Sequence, residues 1–193
     1  MLLVPEEYDP AWATRFDELQ AALKDATGIE AEHIQHIGST AVEGLWAKPI
    51  IDIQIGVVDL AAFDLSTVAG AGFSPVTEIT RDDPFRDGTG SETDWQKKYA
   101  RCELDGKRIA HLHIRQIGNA NHRFALLFRD FLRSDPETCR LYSEFKISVA
   151  RLTAGESDQG GTVSYLDLKD PFVSLIACRA EDWATTTGWI APD

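Results

Sequence analysis

Hydrophobic and polar residues follow two different periods along the chain. Apolar residues recur at helical spacing after Asp9 and Pro10, which suit the start of a helix, and Gly28 ends that pattern. Shorter apolar runs predict strands at 30–37, 49–57 and 73–80, with a helix at about 59–69. Pro75 places the strand at 73–80 on an edge of its sheet, because proline cannot donate to a ladder. This alternation predicts an α/β fold.

A hairpin and a helical half follow. The Asp105-Gly106 pair lies between two strand-like runs and predicts a two-residue turn, whereas residues 81–94 lack any period and predict a loop. Helical spacing then returns: one helix is predicted to end near Asp135-Pro136, and the next begins there. A last helical region, at about 162–187, is expected to be kinked or split by Pro171.

Neither a repeat nor a linker divides these elements. A chain of 193 residues can bury one full core. We therefore expect a single domain over residues 1–193, with an α/β core at about 1–118 and C-terminal helices at about 119–193.

Composition and charge exclude several classes of protein. Asp and Glu total 31 against 19 for Lys and Arg, and the resulting net charge of −12 argues against a nucleic-acid partner. The three cysteines are odd in number and far apart, so we expect no disulfide framework and a reducing compartment. No basic leader begins the chain, and no apolar run approaches the roughly 18 residues of a membrane helix. A cytoplasmic protein without a membrane partner is expected.

Polar side chains are placed inside two of the predicted strands. Side chains alternate across a strand, so Asp52 and Gln54 share one face in "IIDIQI", and His111 and His113 share one face in "HLHIR". If these strands are neighbours, the two polar stripes converge on one site. A carboxylate in an isoleucine run is costly to desolvate unless it is paired, hydrogen-bonded or bound to a cation. Asp52 therefore needs a partner.

A phosphate-binding turn is predicted just before that strand, in "HIGSTAVEGLWAKP". Gly38 lets the backbone approach a ligand closely, while Ser39 and Thr40 add N–H donors and a hydroxyl. Lys48 could reach the same phosphate as a point charge. An ordinary turn between two elements is the alternative.

The roles of the charged residues remain open between two interpretations. Asp52 is either a metal ligand or the partner of a base such as Lys48 or Arg115. Gln54 can coordinate a cation through its carbonyl oxygen but adds no charge, whereas His111 and His113 suit Zn²⁺ or Mn²⁺. The alternatives are His113 as a general base and both histidines as hydrogen-bonded structural residues. On a later helix, a pair of arginines is either an anion clamp or a set of surface salt bridges: Arg129 and Arg133.

The block "GSTAVEGLWAKPIIDI" resembles the GrpB family of the nucleotidyltransferase superfamily, as do "YDPAW", "HLHI", "LLFRDFLRSDP" and "YSEFK". The superfamily signature is a Gly-Ser or Gly-Gly turn followed by Asp-x-Asp. Here Gln54 stands in place of the second acid, Glu43 replaces the family's usual proline, and "YLDLKDPF" departs from its uninterrupted last helix. The resemblance implies a nucleotidyltransferase-like α/β (α+β) fold, with a mixed sheet backed by helices and a helical C-terminal half. Members also occur fused to dephospho-coenzyme A kinase.

Two functions fit these residues. In the first, the protein is an enzyme that transfers a nucleotidyl group from a nucleoside triphosphate to a small acceptor, using Asp52 and His113 and a divalent metal: Mg²⁺, Mn²⁺ or Zn²⁺. In the second, it is a binding module for a nucleotide or another phosphorylated small molecule, with a degenerate metal site at Gln54. The acceptor, the base preference and the oligomeric state stay open.

Overall fold

The computed structural model describes residues 4–84, 90–153 and 165–192. Within these ranges the helices are α1 (Ala11–Thr27), α2 (Ala120–Ser134), α3 (Pro136–Thr153) and α4 (Tyr165–Thr187). The strands are β1 (Ile34–Ile37), β2 (Ile51–Val57), β3 (Phe73–Pro75), β4 (Lys98–Leu104) and β5 (Lys107–Gln116). Short 3₁₀ turns occupy Ala31–His33, Ser39–Ala41, Leu65–Ala71 and Glu92–Trp95.

The five strands form one mixed sheet in the order β1-β2-β5-β4-β3. β2 and β5 are parallel, and the other neighbours are antiparallel. The parallel register places Asp52 opposite His111 and Gln54 opposite His113. The predicted α/β fold with a mixed sheet and C-terminal helices is confirmed, and so is the neighbourhood of the two polar stripes.

Several local predictions were confirmed, and the backbone angles of the turns give the reason. Gly28 ends α1 with a φ of 71°, and Asp105 and Gly106 form the hairpin turn with φ values of 51° and 71°. Both residues of that turn thus have the positive φ that a two-residue turn between twisted strands favours. β3 is an edge strand, as Pro75 predicted. One helix, α4, continues through Pro171, and the predicted residues 162–164 lie outside the described ranges.

Three predicted boundaries were wrong, and one of them is the strand expected at 73–80, because β3 ends at Pro75. The helix expected at 59–69 is only a 3₁₀ turn at Leu65–Ala71. The carboxylate of Asp59 accepts the backbone N–H groups of residues 61 and 62, and Asp64 accepts that of residue 66. Such local bonds compete with a helix. The strand expected at 30–37 is shortened to β1 because a 3₁₀ turn precedes it.

The sheet separates an apolar face from a polar one. On the apolar face, buried residues of α1, β2 and β5 form one cluster: Trp12, Phe16, Leu23, Ile51, Ile53, Ile55, Leu112 and Ile114. Each such side chain stabilises the fold by about 1.5–3 kcal/mol through burial. A second cluster joins the C-terminal helices to the segment after the Gly-Ser turn: Val42, Leu45, Leu127, Phe131, Tyr142 and Ile176. The polar stripe of the sheet lies between these two clusters. Within the described ranges, no helix has the length and apolar character needed to cross a membrane.

Candidate functional site

The Gly-Ser turn packs directly on Asp52. Gly38 has a φ of 70° and a ψ of −168°, a conformation that is essentially restricted to glycine. A Cβ atom added to Gly38 would lie 2.8 Å from Cβ and 2.9 Å from Cγ of Asp52. Only glycine therefore lets the turn and the carboxylate meet in this way.

The turn opens into a recess of 410 Å³ that we call the lysine recess. Its walls include Ser39, Asp52 and His111 together with three lysines from separate parts of the chain: Lys48 before β2, Lys146 in α3 and Lys169 in α4. An adjoining recess of 290 Å³ shares Ser39, Asp52 and Lys169, and extends to His113. A chain with a net charge of −12 thus concentrates positive charge at one place.

Lys146 is the most buried of these lysines. Its side chain is 3% exposed, and its Nζ lies 3.1 Å from Ser39 Oγ and 4.5 Å from the centre of the Tyr142 ring. Burial and the charge of Lys169 lower the pKa of Lys146 to about 7. The same two causes lower the pKa of Lys48. The charge of Lys169 thus disfavours the charged forms of Lys146 and Lys48.

Lys169 was not among the residues predicted for the site. Its one signal was the departure of "YLDLKDPF" from the family pattern, which places a lysine ahead of Pro171. Helix α4 brings this residue to the recess from the C-terminal end of the chain.

Asp52 lies on the wall that the two recesses share. Its side chain is 32% exposed, and its Oδ1 atom lies 4.0 Å from His113 Nε2. Burial raises the pKa of Asp52 to about 6, although the positive charges of Lys169, Arg115 and Lys97 act in the opposite direction. The carboxylate is therefore poorly compensated when it is ionised.

His113 faces two cations on its other side. Its Nδ1 atom lies 3.4 Å from Lys97 Nζ and 3.4 Å from Arg115 Nη2. Since both groups can only donate, Nδ1 is the acceptor and Nε2 carries the proton that points toward Asp52. Burial, Arg115 and Lys97 hold the pKa of His113 well below its usual value. His113 is neutral in this arrangement.

Asp82 holds those two cations in place from the predicted loop at 81–94. It accepts Lys97 Nζ at 2.6 Å, Arg115 Nε at 2.9 Å and Asn121 Nδ2 at 3.1 Å. Burial alone would raise the pKa of Asp82, but Arg115 and Lys97 hold it well below its usual range. Asp82 was not among the residues predicted for the site. Residues 85–89 of that loop lie outside the described ranges.

His111 is held by a tyrosine from the neighbouring strand. Its Nδ1 atom forms a hydrogen bond with the hydroxyl of Tyr99, and it lies opposite Asp52 in the sheet. Burial lowers the pKa of His111 to about 4, with smaller contributions from Arg108 and Lys97. His111 therefore lines the lysine recess as a neutral imidazole.

Gln54 and Thr40 form hydrogen bonds that hold the polar stripe and the Gly-Ser turn in place. Gln54 is fully buried; its Oε1 accepts Arg115 Nη1 at 2.7 Å, and its Nε2 donates to the carbonyl of His122 at 3.3 Å. The hydroxyl of Thr40 lies 3.0 Å from His36 Nε2. These contacts tie the polar stripe to the elements that surround it.

Arg129 and Arg133 contact backbone carbonyls behind the Gly-Ser turn. Arg129 donates to His36 O at 3.0 Å, and Arg133 donates to Ala41 O at 2.7 and 2.9 Å. Both also lie near Asp130, at 2.7 and 3.7 Å respectively. The two arginines join α2 to β1 and to the turn. The structure thus brings Gly38, Ser39, Thr40, Lys48, Asp52 and His111 together, with His113 in the adjoining recess.

The described residues do not fit a free-standing metal centre. No group of three or more His, Cys, Asp or Glu side chains among them is arranged to hold a metal ion. His113 presents an N–H to Asp52 rather than a lone pair, and Arg115 occupies the side-chain oxygen of Gln54. A divalent cation here would depend on Asp52 and on oxygen atoms from a ligand.

We expect Asp52→Asn to keep or raise the melting temperature at neutral pH. The folded protein binds more protons than the unfolded chain between the ordinary pKa of 3.8 and the raised value of about 6. Stability therefore falls as pH rises through this window, and asparagine removes that loss at nearly constant shape. The advantage of the variant should grow from about pH 4 to about pH 6 and then level off.

Thermal unfolding as a function of pH checks this expectation. The exposed Asp17, changed to Asn, is the control for loss of one charge. A less stable Asp52→Asn protein at neutral pH would instead show that a base such as Lys48 or Arg115 is the partner of Asp52.

Comparison with known proteins identifies the family of this chain. The family model described as GrpB protein matches residues 4–179. A dephospho-CoA kinase of Mycolicibacterium paratuberculosis is 35% identical over 201 residues, which cover 97% of this chain and 47% of that protein. The chain thus spans about half the length of the dephospho-CoA kinases that it matches.

A solved structure of the family agrees with the sequence comparison. The crystal structure of the conserved protein GrpB from Enterococcus faecalis matches with a TM-score of 0.71 and 29% identity, over 93% of this chain and 99% of that chain. The Cid1 poly(U) polymerase with bound MgGTP aligns more weakly, with a TM-score of 0.48 and 14% identity, over 86% of this chain and 50% of that chain. The family match over nearly the whole described chain settles the assignment: this protein belongs to the GrpB family.

Proposed function

We propose that the lysine recess binds the phosphate groups of a nucleotide or of another phosphorylated small molecule. The observation that carries this proposal is the convergence of Lys48, Lys146 and Lys169 on the Gly38-Ser39 turn. Like charges that are brought together and partly desolvated are unfavourable unless an anion joins them. The recess has the charge and the donors that a phosphate requires.

The parts of the recess have complementary roles in this proposal. Ser39 offers its hydroxyl, and Lys146 already lies within hydrogen-bond distance of that group. An incoming phosphate would raise the pKa of Lys146 and favour its charged form. Lys169 would contact the same ligand from α4, so that binding joins the sheet to the C-terminal helices. His111 adds a neutral imidazole.

Nucleotidyl transfer is the second candidate function. It is favoured by the direct packing of the Gly38-Ser39 turn on Asp52, which is the arrangement that the resemblance to nucleotidyltransferases implies. The buried amide at Gln54, however, bonds to Arg115 and supplies no second acid. Binding of a phosphorylated ligand is therefore better supported than transfer.

We expect Lys169→Met to weaken binding of ATP and of inorganic pyrophosphate about tenfold. A hydrogen bond to a charged group contributes about 1.5–3 kcal/mol, and 1.4 kcal/mol is a factor of ten in affinity. Isothermal titration calorimetry at low salt measures both ligands. Lys24→Met is the matched control, because Lys24 is a half-exposed lysine that pairs with Glu30 on the surface.

Equal affinities for the wild type and Lys169→Met would contradict the proposed binding site. Titrations with added Mg²⁺ separate the two candidate functions. If ATP binding becomes tighter with Mg²⁺ in the wild type but not in Asp52→Asn, transfer gains support; if Mg²⁺ has no effect on either protein, binding alone remains.

A further inference from the structure

The adjoining recess has a wall of carbon side chains that phosphate binding does not use. Helices α2, α3 and α4 supply this surface, which we call the apolar wall: Phe124, Ala125, Phe128, Leu132, Tyr142 and Val173. The residues from α2 lie on one face of that helix, because their spacing follows its turns. Ligand pockets are lined mainly by apolar and aromatic side chains with a few polar groups, and the adjoining recess has this composition.

The apolar wall differs from the packed core beside it. Phe131, on the same helix, is 3% exposed and belongs to the second cluster. Phe124 and Ala125 are only partly buried, and Phe128 packs against the second cluster while it also lines the recess. The rings of Phe124 and Phe128 lie 5.5 Å apart and are tilted by 59°. Another apolar group can pack against this tilted pair and remove its exposed carbon atoms from water.

The apolar wall is continuous with the lysine recess. Ser39, Asp52 and Lys169 border both recesses. A phosphate at the Gly38-Ser39 turn therefore lies at the boundary between them. The organic group of the same ligand can extend from that boundary to the apolar wall.

Polar groups on the sheet side of the adjoining recess are already hydrogen-bonded. Arg115 donates to Asp82 and to Gln54, and the Nε2 proton of His113 points toward Asp52. The polar edge of a nucleobase, or the hydroxyls of a sugar, would lose water and then face carbon atoms on the apolar wall, which is unfavourable. A hydrocarbon group has no such edge to desolvate.

The size of the adjoining recess limits the organic group. Its volume is 290 Å³, and part of its border is shared with the lysine recess. An apolar protein cavity of about 150 Å³ is large enough to bind benzene. One ring, or one branched chain of similar size, therefore fits beside the phosphate.

We propose that the site takes a phosphate ester whose organic group is a single apolar ring or a short branched chain. The phosphate lies in the lysine recess, and the organic group packs on the apolar wall. Lys169 lies where the two parts of the ligand meet. This substrate class rests on the proposed phosphate-binding function and narrows it.

Three phosphate compounds test the proposal by isothermal titration calorimetry at neutral pH and low salt: phenyl phosphate, glycerol 3-phosphate and inorganic phosphate. We expect phenyl phosphate to bind about tenfold more tightly than the other two, which is the lower end of what burial of one aromatic side chain contributes. Its binding enthalpy should also become more negative as temperature rises, because burial of apolar surface lowers the heat capacity.

Matched variants locate the organic group. Ala125→Leu fills the adjoining recess and should abolish the preference for phenyl phosphate, while the affinity for inorganic phosphate stays within about twofold of the wild type. Ala21→Leu is the control, because Ala21 is an exposed alanine of α1. If Ala125→Leu does not fold, Phe124→Ala supplies the test by removing one partly buried ring, and it should weaken phenyl phosphate alone.

Equal affinities for phenyl phosphate and inorganic phosphate would overturn the proposed ligand class, as would a preference that survives in a folded Ala125→Leu or Phe124→Ala protein. AMP that binds more tightly than phenyl phosphate, and loses this advantage in Ala125→Leu, would place a nucleobase on the apolar wall and overturn it too. Pyrophosphate titrations keep the two proposals apart. Pyrophosphate binding without a preference for phenyl phosphate leaves the phosphate-binding function and removes the ligand class, whereas no binding of either compound removes both.

Discussion

Gly38→Ala is expected to lower the free energy of unfolding by about 3 kcal/mol or more. The φ of 70° and ψ of −168° at this position cost a non-glycine residue about 1–3 kcal/mol. The new Cβ atom would also lie only 2.8 Å from Cβ and 2.9 Å from Cγ of Asp52. Because Asp52 belongs to a buried central strand, the strand cannot shift without disturbing the sheet. Urea unfolding, followed by circular dichroism, measures the loss.

Gly28→Ala separates backbone strain from the clash with Asp52. Gly28 also has a φ of 71°, but an added Cβ atom there meets no other atom within 4 Å. We expect it to cost about 1–2 kcal/mol, the strain of a left-handed residue alone. Equal losses for the two variants would show that Gly38 does not pack on the carboxylate as described. Gly38→Ala should additionally weaken ATP binding, whereas Gly28→Ala should not.

The strand that carries Asp52 could be predicted because its information is local. Side-chain alternation determines which residues of a strand share a face, so "IIDIQI" places Asp52 and Gln54 together without any knowledge of the fold. The pairing with the His111 strand needed more, namely the family resemblance. Given that pairing, the sheet register placed Asp52 opposite His111.

The remainder of the site depends on contacts between distant parts of the chain. Lys169 reaches the recess only because α4 packs against α2 and α3, and no local period encodes that. The contacts of Arg129 and Arg133 could not be predicted from local spacing either. Their spacing indicates one helix face, but it does not tell whether that face meets an anion or the carbonyl groups of β1 and the Gly-Ser turn.

Local turn chemistry prevents one predicted helix, and an irregular segment contains one residue that the sequence did not predict for the site. The apolar spacing at 59–69 suggested a helix, although Asp59 and Asp64 each favour a turn through their own side chains. Asp82 lies in a segment rich in charge, Gly and Pro, which has no period from which burial could be predicted. Its role follows only from the two cations that it meets, Lys97 and Arg115.

Asp82→Asn is expected to lower the free energy of unfolding by about 3–5 kcal/mol at neutral pH, the cost of breaking a buried ion pair. Lys97 and Arg115 each have side chains that are only 8% exposed, and both lose the carboxylate that compensates them. The uncompensated charges then lie beside His113, so the polar stripe next to Asp52 should also lose its order. Urea unfolding at neutral pH measures the stability.

The pH dependence of the same variant provides the sharper test. The pKa of Asp82 in the folded protein lies well below its ordinary value of 3.8, so the unfolded chain binds the proton first as pH falls. The stabilising contribution is therefore present at neutral pH and is lost as pH falls below about 4, toward the folded-state pKa. Asp82→Asn should be the less stable protein at pH 7, and its difference from the wild type should shrink in acid. Asp83→Asn, a change at the exposed neighbouring carboxylate, should stay within about 0.5 kcal/mol of the wild type throughout. A constant difference between Asp82→Asn and the wild type from neutral pH into acid would contradict the ionised, doubly paired state of Asp82.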